Sequence, residues 1–303
     1  MLILNDEQIS AVLIFPLAFI GFMANWSVAF LIKKLPSLKN SFGMLTTSQS
    51  IGDAVHSTIF AFIVSSMCFF DLKFLKSYSY IVGHILIITY EVSTYSHLCI
   101  SLNRFCSIVA PISYESIFNS SNTKQLIIIS WALAIFPSFY FYVYNDCKLF
   151  YNEVFSAFFF TRSPSCSTIV WYADYLKFNS IVIAIVIIDV ITVSKVRSFK
   201  TKISAYSNQS AKKSSTEMNF LKQACLQAFV FVCELVCYFL IAPKVIEYGR
   251  WFVFLLTTIP WVSVHMLDGI ITLTFNKDFS QFILYRLKIS ELTLSSFLTI
   301  FTI

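Results

Sequence analysis

Apolar residues in this chain come in long runs separated by short polar stretches, and windows of about 19 residues mark out seven of them. They fall at roughly 9–32, 43–68, 79–103, 125–144, 174–195, 220–242 and 251–275. Each matches the ~20 residues a helix needs to cross a bilayer, where every backbone polar group must find a partner within its own segment. Barrel strands would alternate over about ten residues, and only 6 Gly are present for tight turns. The pattern therefore predicts an all-α membrane protein: a single seven-helix domain over 1–303, with 276–303 as a tail. The second run is the least apolar, so Thr46, Ser48, Ser50, Asp53 and His56 are expected to face other helices.

Composition agrees: the 303 residues are 57% hydrophobic and 13% charged, with a mean hydropathy of +0.73. With the amino terminus outside, 15 of the 22 Lys and Arg residues fall on the cytoplasmic side. Asp6 and Glu7 before the first run, against Lys33 and Lys34 after it, favour the same insertion and a retained rather than cleaved amino terminus. The net charge of +6 then describes contact with anionic lipid, through segments such as SKVRSFKTKIS, and not binding to nucleic acid. Residues 276–288, NKDFSQFILYRLK, are amphipathic enough to lie along the inner leaflet as a short eighth helix.

Five carboxylates fall in the interior of the runs: Asp53, Glu91, Asp189, Glu234 and Asp268. Acids in a membrane interior are rare and point to function by default. His84 and Glu91, seven residues apart on the third helix, share a face. With Tyr80, Ile87, Ile88, Trp261 and His265 they make a candidate lining for an outward-facing cavity holding a small molecule, although histidines and aromatics on an inner face are often packing residues. Arg104 closes the third run, with Asn103 and Phe105 beside it and Pro111 and Tyr114 following. Two readings of Arg104 stand on position alone. One is an anchor snorkelling to the interface; the other is a buried cation whose partners can be exchanged, with Glu217 as a candidate resting partner. The chain has no G-x-S-x-G, H-E-x-x-H or glycine-rich phosphate loop, so enzymatic activity is not expected. A transporter using the buried acids to couple ions or protons is an alternative to a receptor, but no repeat-related halves are evident.

The stretches SFGMLTTSQSIGDA (41–54), SLNRFCSIVAPISYESIF (101–118), the loop from Cys147 to FTRSPSC (147–166) and HMLDGIITLTFN (265–276) together resemble the nematode serpentine chemoreceptors of the srx class. The similarity covers about residues 10–285, and the triplet Asn103, Arg104, Phe105 resembles the Asp-Arg-Tyr-like triplet of G-protein-coupled receptors. The resemblance implies an extracellular small-molecule ligand, a heterotrimeric G protein as partner, and the plasma membrane of a sensory cilium as location. It also implies that Arg104 takes part in a coupling switch. Asn25, Asp53 and Asp268 resemble the intramembrane polar cluster that holds sodium in rhodopsin-like receptors. Interhelical hydrogen bonding by neutral acids is the alternative there, and no other cofactor or metal is expected. Helix seven reads DGIIT and helix six CYFLIAP where rhodopsin-like receptors carry Asn-Pro and Cys-Trp-x-Pro, so that family's switch is not transferable in detail. Of the cysteines expected outside, Cys147 is paired with Cys166, a loop closure worth about 3 kcal/mol, with Cys68 as the rival partner.

Overall fold

The computed structural model describes residues 4–203, 208–276 and 279, with side chains except in 199–203 and 208–221. Among these, seven helices are long and apolar enough to span a membrane: Asp6–Ile32 (α1), Ser41–Phe69 (α2), Ser79–Val109 (α3), Ser120–Tyr144 (α4), Pro164–Ser198 (α5), Lys222–Lys244 (α6) and Arg250–Phe275 (α7). The expected eighth helix lies almost entirely outside the described residues, and so does the side chain of Glu217.

Local chemistry explains where the helices begin. Asn5 and Gln8 form a reciprocal capping box at the start of α1, whose first turn also carries Asp6 and Glu7. Asn40 accepts from Gly43 N (2.9 Å) ahead of α2, and Asn119 from Asn122 N (2.9 Å) ahead of α4. Ser163 caps α5 through Cys166 N (3.2 Å), with Pro164 in the first turn. This cap places the start of α5 ten residues before the apolar run expected to begin at 174, so Asp174 lies inside the helix. Similarly, α3 continues to Val109 rather than ending at 103, which holds Arg104 within its last turns.

The bundle is apolar outside and polar at its centre. Phe136 and Phe229 are 73% and 63% exposed on the outer surface, while Asp53, His56, Glu91, His265 and Asp268 are buried. Gly269 permits the close approach of α1 and α7, since a Cβ there would lie 2.7 Å from Asn25 Oδ1.

One element departs from the all-α expectation. Leu149–Asn152 (β1) and Ala157–Phe160 (β2) form an antiparallel hairpin that pairs Leu149 with Phe160 and Tyr151 with Phe158. It is a plug, not a solvated loop. Phe158 packs edge-on against Phe60 and Trp261, Tyr151 N donates to Ser79 Oγ (3.1 Å), and Arg250 and Thr258 of α7 donate to Ser156. Gly83 of α3 lies directly beneath; a Cβ there would stand 2.2 Å from Leu149 O. Cys147 is bonded to Cys166, tying the foot of the hairpin to the start of α5, while Cys68 stays reduced and donates to the Tyr151 hydroxyl (3.1 Å). Lys76 completes this end by reaching Glu7 (2.7 Å), Asp71 (2.6 Å) and Glu153 (3.5 Å). Burial opposes the Lys76 ammonium, but hydrogen bonds to Asp71 and Glu7 outweigh it and hold its pKa above the ordinary lysine value.

Four spans contain a π-helical turn in the half nearer the hairpin: Ile59–Val64, Phe139–Tyr144, Val170–Leu176 and Val236–Ile241. Such wide turns re-aim side chains and are frequent at functional sites.

Two outcomes follow for thermal unfolding of the purified protein in detergent. Gly83→Ala forces hairpin and α3 apart and is expected to cost about 1–3 kcal/mol, whereas Ile81→Ala, on the exposed face, is expected to have little effect. Cys147→Ser is expected to lower the midpoint by the equivalent of about 3 kcal/mol.

Candidate functional site

Two carboxylate–imidazole pairs occupy the middle of the bundle. Asp53 Oδ1 of α2 lies 2.7 Å from His265 Nδ1 of α7, and Asp268 Oδ2 of α7 lies 2.9 Å from His97 Nε2 of α3. Gln49 links them: its Nε2 donates to Asp53 Oδ2 (3.4 Å) and lies 3.0 Å from His97 Nε2. From α1, Asn25 Nδ2 donates to His265 O (2.8 Å), and from α6, Gln227 Nε2 donates to Asp268 O (3.5 Å). The His56 ring stacks on that of His265 at 3.7 Å, with its Nδ1 3.0 Å from Thr89 Oγ1. Asn25, Asp53 and Asp268 thus belong to one polar seam, with the two acids joined through His97, His265 and Gln49 rather than directly. Nitrogen groups approach both oxygens of Asp53. Among the described residues no group of three His, Cys, Asp or Glu is placed to hold a metal ion.

Between this seam and the hairpin lies a cavity of about 50 Å3, walled by α3, α5, α6 and α7 and roofed by Leu149 and Phe160. Ile87 and Trp261 of the expected pocket stand in its wall. The other candidates do not. Tyr80 lies under the Lys148 ammonium (5.3 Å), and His84 packs edge-on against Phe139 of α4. Ile88 is half-buried outside the wall, Glu91 is paired with Lys177 of α5 (2.7 Å), and His265 belongs to the seam. The cavity's polar groups are instead Asp174 and Glu234: Tyr142 donates to Asp174 Oδ1 (2.5 Å) and Tyr90 to Glu234 Oε2 (2.8 Å). Trp261 forms both cavity wall and seam contact, meeting His56 edge-on at 5.1 Å.

At the opposite end, Arg104 is 5% exposed, and its guanidinium lies over the Phe42 ring of α2 at 4.9 Å. It is packed among helices, not extended to an interface. Its charge acts on Asp189 of α5, whose Oδ1 accepts from Ser101 Oγ (2.7 Å). Asn103 Nδ2 donates to the Tyr114 hydroxyl (3.3 Å), Phe105 is half-buried, and exposed Pro111 opens the short helix Pro111–Ile117.

His97 and Gln49 escaped the sequence reading, although Gln49 stands four residues before Asp53 and so on its face of α2, the spacing at which a buried acid finds a donor. Asp174 was hidden by the late start assigned to the fifth run.

Comparison with known proteins converges on one family. Squid rhodopsin, a crystal structure, shares the fold with a TM-score of 0.74 over 95% of this chain and 88% of its own, at 16% identity. Serpentine receptor class X 45 of Caenorhabditis elegans is 36% identical over 305 aligned positions, covering 94% of this chain and 83% of that protein. Serpentine receptor class X-43 of the same organism is 26% identical, covering 82% and 78% respectively. The profile of the family described as serpentine type 7TM GPCR chemoreceptor Srx matches residues 15–276. This multi-pass membrane chain belongs to the Srx family of serpentine seven-transmembrane chemoreceptors.

Proposed function

We propose that the chain is a chemosensory G-protein-coupled receptor that takes a small extracellular molecule into the cavity beneath the hairpin and signals through a heterotrimeric G protein at the Arg104 end. The observation that carries this reading is the position of Trp261. It bounds the cavity on one side and touches His56 of the seam on the other, so an occupant presses on the layer that joins α2, α3 and α7. A ligand that fits one arrangement of that layer better moves the equilibrium tenfold for every 1.4 kcal/mol of preference. Arg104 is the element read from inside: a cation held over Phe42 near Asp189 must change neighbours when α5 and α6 shift against α3.

In this reading the hairpin end, with its disulfide, faces the exterior, and the basic residues near Lys33, Lys39 and Lys195 face the cytosol. The sensory cilium of a chemosensory neuron is the proposed site of action. The two buried Asp–His pairs also suit an ion- or proton-coupled transporter, which would move substrate without stimulating nucleotide exchange.

An amino-terminal epitope should be reachable on intact cells and a carboxy-terminal one only after permeabilisation; the reverse pattern refutes the orientation. Arg104→Ala is expected to reduce agonist-driven GTPγS loading of a co-expressed G protein at least tenfold with surface delivery retained. Asp53→Ala strips His265 of its carboxylate and is expected to destabilise the purified protein by about 3–5 kcal/mol in thermal unfolding.

A further inference from the structure

The cavity wall holds two carboxyl groups and no basic side chain. Asp174 on α5 and Glu234 on α6 are 4% and 5% exposed. Each stands ten residues from the hairpin-side end of its span, about 15 Å deep at 1.5 Å per residue. Each gives one oxygen to a tyrosine hydroxyl, and among the described residues no donor reaches Asp174 Oδ2 or Glu234 Oε1. The nearest cation is Lys177, whose Nζ lies 2.7 Å from Glu91 and whose charge also acts on Asp174. Glu91 and Asp174 therefore share one ammonium.

The rest of the wall is aromatic: Tyr90, Phe178, Tyr238, Phe239 and Trp261. Ring faces attract cations, most strongly where water is excluded. Asp174 lies on the π turn of α5, and Tyr238 and Phe239 lie on that of α6, so both wide turns contribute to one chamber. We propose that the cavity binds a small organic ammonium ion. Its N–H groups donate to Asp174 Oδ2 and Glu234 Oε1, and its apolar body lies against the aromatic wall. A neutral alcohol of the same shape could donate a hydrogen bond but would leave the charge uncompensated, and a carboxylate would be repelled. This assignment rests on the receptor reading above and adds the chemical class of its ligand.

The test uses the full chain in lipid nanodiscs, with phenethylamine, tryptamine and hexylamine as probes. Each is paired with the alcohol and the carboxylic acid carrying the same apolar body. Binding is measured by calorimetry, and nucleotide exchange on a reconstituted G protein is followed with the same compounds. At least one amine is expected to bind tenfold or more tightly than its two partners. Asp174→Asn and Glu234→Gln are each expected to erase that preference while leaving the thermal midpoint near that of the parent. Two variants on separate helices keep the test decisive if one fails to fold. The ligand assignment is overturned if no amine outperforms its partners, or if the preference survives both substitutions. Exchange driven by an alcohol or acid, without amine preference, overturns the assignment alone. Selective amine binding without any exchange overturns the receptor reading and leaves the assignment standing.

Discussion

A carboxylate in the middle of a membrane has no water to solvate it, and the bond between Asp53 and His265, both fully buried, is how this protein meets that constraint. Its surroundings follow from it. His265 is held by Asn25 through its backbone carbonyl and lies under the His56 ring, while Asp53 is held by Gln49, which leads to His97 and the second acid, Asp268. Four helices therefore meet through polar side chains at one level. Lipid cannot drive apolar helices together as water does, so association rests on such hydrogen bonds and on close approaches like that of Gly269 to Asn25.

The same constraint explains what the amino-acid sequence disclosed. Spanning segments must be long and apolar, so all seven are legible, and acids within them are conspicuous enough that Asp53, Glu91, Asp189, Glu234 and Asp268 stand out. Partner choice is a three-dimensional matter. Nothing along the chain links Asp268 to His97, 171 positions away, or Glu234 to Tyr90, 144 positions away. Helical periodicity misled at the cavity: His84 and Glu91 do share a side of α3, but that side looks toward α4 and α5, whereas Ile87 and Tyr90 face the chamber. The hairpin was illegible for another reason. Its strands are four residues each and gain their burial from docking on Gly83 and Trp261, not from alternation long enough to register as a pattern.

The chamber and the seam pair their buried acids with different partners. In the seam each acid meets an imidazole and Gln49 adds a donor to Asp53, while Asp268 Oδ1, His56 Nε2 and His265 Nε2 are buried without a hydrogen-bond partner among the described residues. In the chamber Asp174 and Glu234 each accept from one tyrosine hydroxyl, and no donor among the described residues reaches the other oxygen. Trp261 separates the two, an aromatic partition between a layer of acid–imidazole pairs and one of acid–tyrosine pairs.

The wide turns in α2, α4, α5 and α6 carry a final consequence, for how such chains diverge. A π turn holds one residue more than the regular coil on either side, so deleting a single residue there restores an ordinary α-helix without breaking the rod. The turns on either side keep their facing, because the wide turn had absorbed the extra residue without passing its ~100° of rotation to the rest of the helix. A one-codon deletion at Val170–Leu176 or Val236–Ile241 would thus re-aim only the side chains of that turn, among them Asp174 or Tyr238 and Phe239 of the chamber wall, and leave both ends of the helix seated as before.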